Sequence, residues 1–240
     1  VTGSGAGDGA TGVREQKARI RSMFDAVAPR YDFLNHFLSA GIDVRWRRRA
    51  IRGLELAPGH RLLDLCAGTG DLGLEALRQV PEIEVVGVDL ARRMLARGRE
   101  KSAGAACRFV QGDAEHLPLP DASMDAACVG FGIRNVASLD RALAETARVV
   151  RPGGRFAVLE FTTPPHPVFR RVYHAYFHHV LPRVGGWLSG HPDAYGYLPR
   201  SVGCFPAPEA LAAQIRRAGF GEATWTLLHG GIAALHLCRR

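Results

Sequence analysis

Leu63-Asp64-Leu65-Cys66-Ala67-Gly68-Thr69-Gly70-Asp71 is a short apolar strand running into a glycine turn that opens a helix. Glycines in such a turn let backbone N–H groups approach a ligand closely, and the helix N-terminus behind them adds a partial positive charge. Gly68-x-Gly70-x-x-Gly73 also fits the dinucleotide fingerprint, so the glycines alone do not separate NAD from S-adenosylmethionine.

Downstream of this turn, short apolar runs alternate with longer amphipathic ones, the pattern of βαβ units around a parallel sheet. Strands are expected at 61–65, 84–88, 107–111, 124–129 and 155–160, with helices near 72–79, 91–103 and 138–150, the last stopped by Pro152-Gly153-Gly154. A helix over 208–218 ends at Gly219, a C-cap residue. Two further strands, 223–228 and 232–237, are joined by His229-Gly230-Gly231, a link too short for a parallel crossover. The fold class is therefore α/β, a Rossmann-like, mostly parallel seven-stranded sheet with one antiparallel strand.

Upstream, residues 13–56 read as helices. Ile20, Met23, Phe24 and Val27 recur at helical spacing, and Asp43 is placed to cap a segment carrying Trp46, Ile51 and Leu54. Residues 1–12 are glycine-rich, lack the apolar region of a signal peptide, and are expected to be a disordered tail. Residues 13–240 are expected to form one domain, within which 161–205, rich in proline, histidine and aromatic residues, is an insertion on the substrate side.

Five cysteines with no C-x-x-C pair point to a reducing compartment, hence cytoplasm. No apolar run approaches the ~18–20 residues of a membrane-spanning helix. The net charge of +8 is compatible with nucleic acid or an anionic membrane surface and does not choose between them.

Strand ends carry the candidate ligand groups. The second strand ends in Val88-Asp89, where a carboxylate can accept hydrogen bonds from ribose hydroxyls. The third leads into Gly112-Asp113-Ala114, where a second carboxylate can accept from an adenine amino group. Asp is also a common turn former, but two acids at successive carboxyl ends of a parallel sheet fall on the edge where such sheets bind ligands. Asp121 and Asp125 read as turn and cap residues.

Asp64 to Gly70, Asp89, Gly112-Asp113-Ala114, the Pro120-Asp121-x-Ser123-Met124-Asp125 turn and Arg151-Pro152-Gly153-Gly154 together resemble a class I S-adenosylmethionine methyltransferase. Four more segments narrow the resemblance to the quinone C-methyltransferases of menaquinone and ubiquinone biosynthesis, the UbiE/MenG type. They are Tyr31-Asp32-Phe33-Leu34-Asn35-x-x-Leu38-Ser39-x-Gly41-Ile42 with Trp46; Phe131-Gly132-Ile133-Arg134-Asn135-Val136; Arg148 to Gly154 with Leu159-Glu160-Phe161; and His179-Val180-Leu181-Pro182-Arg183. The likeness runs from about residue 20 to the C-terminus.

The resemblance implies S-adenosylmethionine as cofactor, held at Thr69, Asp89, Asp113 and Ala114, and Asp64, Gly68 and Gly70 of the strand and glycine turn complete the expected cofactor site. A serine common in the family at the end of the fourth strand is replaced here by Gly130, and Thr162-Thr163 replaces a serine-containing turn. The implied substrate is a polyprenylated quinol, demethylmenaquinol or a demethylated ubiquinol precursor.

Methyl transfer to a ring carbon needs a phenolic proton lost or strongly shared, so the site should stabilise a phenolate. Arg134, always protonated, is the candidate for that role, with Asn135 and Tyr31 as partners. Without the resemblance, a structural ion pair explains Arg134 as well. His174 and His178 have i, i+4 spacing, but no third ligand is offered and no metal is expected. The aromatic residues around them suit a wall over a flat ring, or ordinary packing.

The basic run Arg45-Trp46-Arg47-Arg48-Arg49 to Arg52 suits an anionic membrane surface or a solvated helix face, consistent with a cytoplasmic enzyme at the membrane periphery. A homo-oligomer is compatible with the sequence. A nucleic-acid base methyltransferase is the lesser alternative, lacking an RNA-binding module or Asn-Pro-Pro-Tyr-like tetrapeptide, and no nucleic-acid partner is expected. A nicotinamide oxidoreductase lacks its Tyr-x-x-x-Lys pair.

Overall fold

In the computed structural model, which describes residues 5–28, 32, 39, 41–176 and 192–240, the apolar runs become strands and the amphipathic ones helices. In chain order the elements are α1 (Gly5–Val27), α2 (Ile42–Arg52), β1 (Arg61–Leu65), α3 (Asp71–Gln79), β2 (Glu84–Asp89), α4 (Arg92–Lys101), β3 (Cys107–Gln111) and β4 (Met124–Gly130). Then follow a 3-10 turn (Ile133–Asn135), α5 (Leu139–Val149), β5 (Val150–Phe161), α6 (Pro167–Ala175), α7 (Pro192–Cys204), α8 (Pro208–Arg217), β6 (Glu222–Leu228) and β7 (Ala233–Arg239).

The sheet order is β3-β2-β1-β4-β5-β7-β6, with β7 antiparallel to both neighbours. Because two reversals restore direction, β6 ends on the same edge as β1 to β5. The glycine turn, Asp89, Gly130, Phe161 and His229 therefore all emerge along one rim. Period-2 alternation fills both faces: Leu62 joins Trp46, Ile51 and Leu72 on one, while Leu63 and Leu65 join Leu143, Leu211 and Phe220 on the other. Gly73 is required by close approach, since a Cβ there would lie 2.7 Å from Val85 Cγ1.

Several local expectations change. Helix α1 spans Gly5–Val27. Asp43 does not cap α2. Gly41, at φ 73, holds the cap position, and the Asp43 carboxylate instead accepts from Ser39 Oγ at 2.7 Å and pairs with Arg47 at 2.8 Å. Helix α4 has no side-chain cap of its own. Asp25 of α1 supplies one, accepting from the Arg93 amide at 2.7 Å. Strand β5 starts at Val150, which pairs with Met124 ahead of a register shift. The 161–205 insertion contains α6, opened by a proline at its first turn, and α7. Among the described residues no helix is long and apolar enough to cross a membrane.

Candidate active site

The carboxyl rim holds an open cleft. Asp89 forms its middle. One carboxylate oxygen accepts from the Gly68 amide at 2.8 Å and the other from the Ala91 amide at 2.7 Å, so the side chain is fixed with acceptor capacity left for a ligand hydroxyl. Burial pushes its pKa up, against the pull of those amide bonds.

At one end Val88, Leu90, Met94 and Ala114 make an apolar slot beside Asp113. Lys17 of α1 donates to Asp113 Oδ2 at 2.7 Å and pairs with Glu115 at 3.0 Å, while Ile20 and Phe24 of the same helix complete the wall. Burial alone would raise the Asp113 pKa, but Lys17 and the Glu115 amide hold it below the ordinary value. Asn135 lines the opposite wall, and its Oδ1 is buried with no hydrogen-bond partner among the described residues.

Beyond the glycine turn lies a second, smaller opening that shares Cys66, Gly68, Gly130 and Phe131 with the first. Asp64 lines it and accepts from the Gly73 amide at 2.9 Å; burial pushes its carboxyl up to about 7. Arg47 lines it too, only 8% exposed, paired with Asp43 and, at 3.0 Å, with Asp71. The Thr69 hydroxyl donates to Asp32 at 2.5 Å and accepts from Lys101 at 3.1 Å. Lys101 also pairs with Asp32 at 2.7 Å, so an ionic cluster ties α2, α3 and α4 to the turn. Gly130 leaves space that a Cβ would take from Leu72, 2.8 Å away.

Phe131 continues the cleft into an aromatic wall, 4.4 Å from Phe161 and 6.1 Å from Trp46 between ring centroids. The Trp46 indole N–H donates to His229 Nδ1 at 2.7 Å. Arg134 lies over the Phe161 ring at 5.5 Å and pairs with Glu160 at 2.6 Å; its other bonds go to the Phe131 carbonyl and Ser201 Oγ. Burial raises the Glu160 pKa, with Arg134 opposing. The Tyr173 hydroxyl of α6 is buried in the field of both, and its pKa is raised chiefly by burial.

Of the residues expected at the cofactor, Gly68, Asp89, Asp113 and Ala114 line the first cleft, and Asp64 and Thr69 the second chamber. Gly70 lines neither. It turns the chain at φ 80 as the cap of α3, tight against the Phe109 ring. Arg134 and Asn135 are brought together by the 3-10 turn, but Arg134 is held by a carboxylate and a carbonyl rather than facing the cleft. Tyr31, His178 and His179 lie outside the described residues, and His174 is exposed. Lys17, Arg47 and Glu160 were not anticipated as site residues. Glu160 was findable by the rule that located Asp89, an acid ending a parallel strand, whereas Lys17 and Arg47 sit on helices whose packing no local pattern encodes.

These residues fit an adenosyl sulfonium: an apolar slot with an acceptor for adenine, a fixed carboxylate for ribose, and a chamber of mixed charge for an amino-acid tail. The chain matches the ubiE/COQ5 methyltransferase family over residues 10–240. It is 51% identical over 218 residues to a demethylmenaquinone methyltransferase of Thermus thermophilus, covering 90% of this chain and 98% of that one. It is 44% identical to a ubiquinone/menaquinone biosynthesis C-methyltransferase UbiE of Geobacter sulfurreducens, covering 92% and 88%. The structure superposes on an S-adenosylmethionine-dependent methyltransferase of Thermotoga maritima with TM-score 0.65 at 22% identity, covering 91% and 98%, which shows the shared fold. By sequence along almost its whole length and by the architecture of this rim, the chain belongs to the ubiE/COQ5 methyltransferase family.

Proposed function

We propose that this methyltransferase C-methylates a polyprenylated quinol, converting demethylmenaquinol to menaquinol. The observation that carries the reading is the Phe131–Phe161 pair: Phe131 lines the cofactor cleft, Phe161 lies 4.4 Å from it between ring centroids, and a buried Arg134–Glu160 pair is beside them. A flat ring suits aromatic faces, and a phenolic oxygen suits a guanidinium.

When bound, S-adenosylmethionine supplies an electrophilic methyl. Asp89 holds the ribose hydroxyls, and Asp113 and Ala114 hold adenine. Asp64 and Arg47 take the ammonium and carboxylate of the amino-acid tail, their charges matching that zwitterion. Thr69 supports the turn between them. Asn135 offers its free acceptor to the cleft.

On the acceptor side, Arg134 stabilises negative charge developing on the ring oxygen, which raises the nucleophilicity of the neighbouring carbon. Glu160 fixes the guanidinium and is a proton acceptor within the same cluster. Tyr31 is proposed to act with them. Holding the reacting atoms ~3–3.5 Å apart supplies much of the rate without a strong base.

The test is incubation with methyl-labelled S-adenosylmethionine and chemically reduced demethylmenaquinone, beside a demethylated ubiquinol precursor, since the Geobacter relative is named for both pathways. Label in menaquinol is expected. Label in neither acceptor overturns the proposal, and label in the benzoquinol alone reassigns the substrate.

A further inference from the structure

Helix α6 carries more apolar surface than the protein covers. Phe169 and Tyr173 point inward, Phe169 toward Gly230 and Tyr173 toward Arg134 and Glu160. Val168 and Val172, one turn apart on the neighbouring face, are 62% and 61% exposed, and exposed Ala175 extends the stripe. Arg171 borders it, and Arg170 and His174, exposed as well, lie farther round the helix. From Phe161 to Tyr176 there is no Asp or Glu. An apolar stripe with a cation at its edge, and no acid to repel an anionic surface, is the composition of a helix lying at a bilayer interface.

The position of α6 adds to this. It follows the carboxyl end of β5, so its inner face meets Gly230 and the Arg134–Glu160 pair beside Phe161, and its outer face is turned away from the protein. The basic run of α2 does not compete. Arg47 points inward, Arg48 is 3.7 Å from Glu75, and the helix runs from the ligand rim, where Trp46 meets His229, to the far edge, where the Gly53 carbonyl accepts from Arg155. Its outward arginines are spread along that whole length.

We propose that the outer face of α6, Val168, Val172 and Ala175 with Arg171 at its edge, docks on an anionic lipid bilayer and sets the mouth of the aromatic wall against the membrane surface. Its purpose rests on the quinol reading above, because a prenylated ring reaches the site from the bilayer. The valines enter the headgroup boundary and Arg171 meets lipid phosphates, so binding needs both apolar contact and negative charge.

The experiment is cosedimentation of the full chain with vesicles of phosphatidylcholine, with and without phosphatidylglycerol, in the absence of cofactor and quinol. Binding is expected with phosphatidylglycerol, weakening as salt rises. Val168→Ser/Val172→Ser and, separately, Arg171→Glu are each expected to lose roughly tenfold or more of that partition. Thermal unfolding and S-adenosylmethionine binding should remain at wild-type values, which shows the variants are folded. Wild-type chain that ignores phosphatidylglycerol vesicles at low salt, or variants that bind like wild type, overturn the proposal. So does sedimentation velocity showing that the valine pair instead holds two copies together. Methyl transfer to a tail-free, water-soluble quinol separates the two readings: its persistence alongside lost vesicle binding condemns the docking face alone, and its absence alongside vesicle binding condemns the quinol assignment alone.

Discussion

Arg134 and Glu160 form an ion pair at 2.6 Å with side chains only 7% and 2% exposed, joining the turn after β4 to the end of β5. A pair so far from water is sensitive to loss of one partner, because the other is left buried and charged.

Arg134→Ala is therefore expected to lose turnover and also about 3–5 kcal/mol of stability. Arg134→Ala/Glu160→Gln should recover much of the melting temperature but none of the turnover, with cofactor affinity near wild type because Arg134 is not in the cleft wall. Calorimetry and a methyl-transfer assay on both variants check this; wild-type turnover in the double variant would make the pair purely structural.

Asp89→Asn keeps an acceptor for the Gly68 amide but removes the charge proposed to serve the ribose hydroxyls. The expected cost is about 3 kcal/mol in cofactor affinity, roughly a hundredfold. Isothermal titration with S-adenosylhomocysteine reads it directly.

Arg47→Met is expected to weaken S-adenosylmethionine by tenfold or more, about 1.4 kcal/mol, while sparing 5′-methylthioadenosine, which has no amino-acid tail. Unchanged methylthioadenosine affinity also shows the variant is folded. Arg47→Lys should restore part of the loss. Equal weakening of both ligands would mean that Arg47 only braces the turn through Asp43 and Asp71.

Asp64 supplies a pH signature. Its folded pKa of about 7 lies above the ordinary 3.8, so the folded state binds the extra proton between those values. The stability associated with neutral Asp64 is thus present at acid pH and is lost as pH rises through about 7. A cofactor ammonium beside it favours the ionised form. Binding at about pH 6 should then release a proton, and affinity should fall as pH is lowered below 7. Titrations in two buffers of different ionisation enthalpy measure the release, which should vanish in Asp64→Asn and with methylthioadenosine.

Much of this site could be read before any coordinates. Asp89 and Asp113 were located because an acid after a parallel strand falls on the ligand rim wherever the strand sits in the sheet. The His229-Gly230-Gly231 link was enough to reverse β7, since so short a connection cannot cross over. Arg134 was expected at the ring oxygen from the sequence, but its partner was not, because Glu160 is 26 residues away and meets it only through the β4–β5 pairing.

What the sequence determined by itself is local: the period of each element, the glycine bend at Gly68 and Gly70, and the acids that end strands, all set by neighbours within a few residues. What only the tertiary structure decided is which distant groups meet. Lys17 reaches Asp113 across 96 positions, Trp46 reaches His229 across 183, and Asp25 caps a helix 68 positions away. Such contacts depend on how helices stack on the sheet, and that stacking is fixed by the summed burial of many side chains rather than by any one stretch of chain.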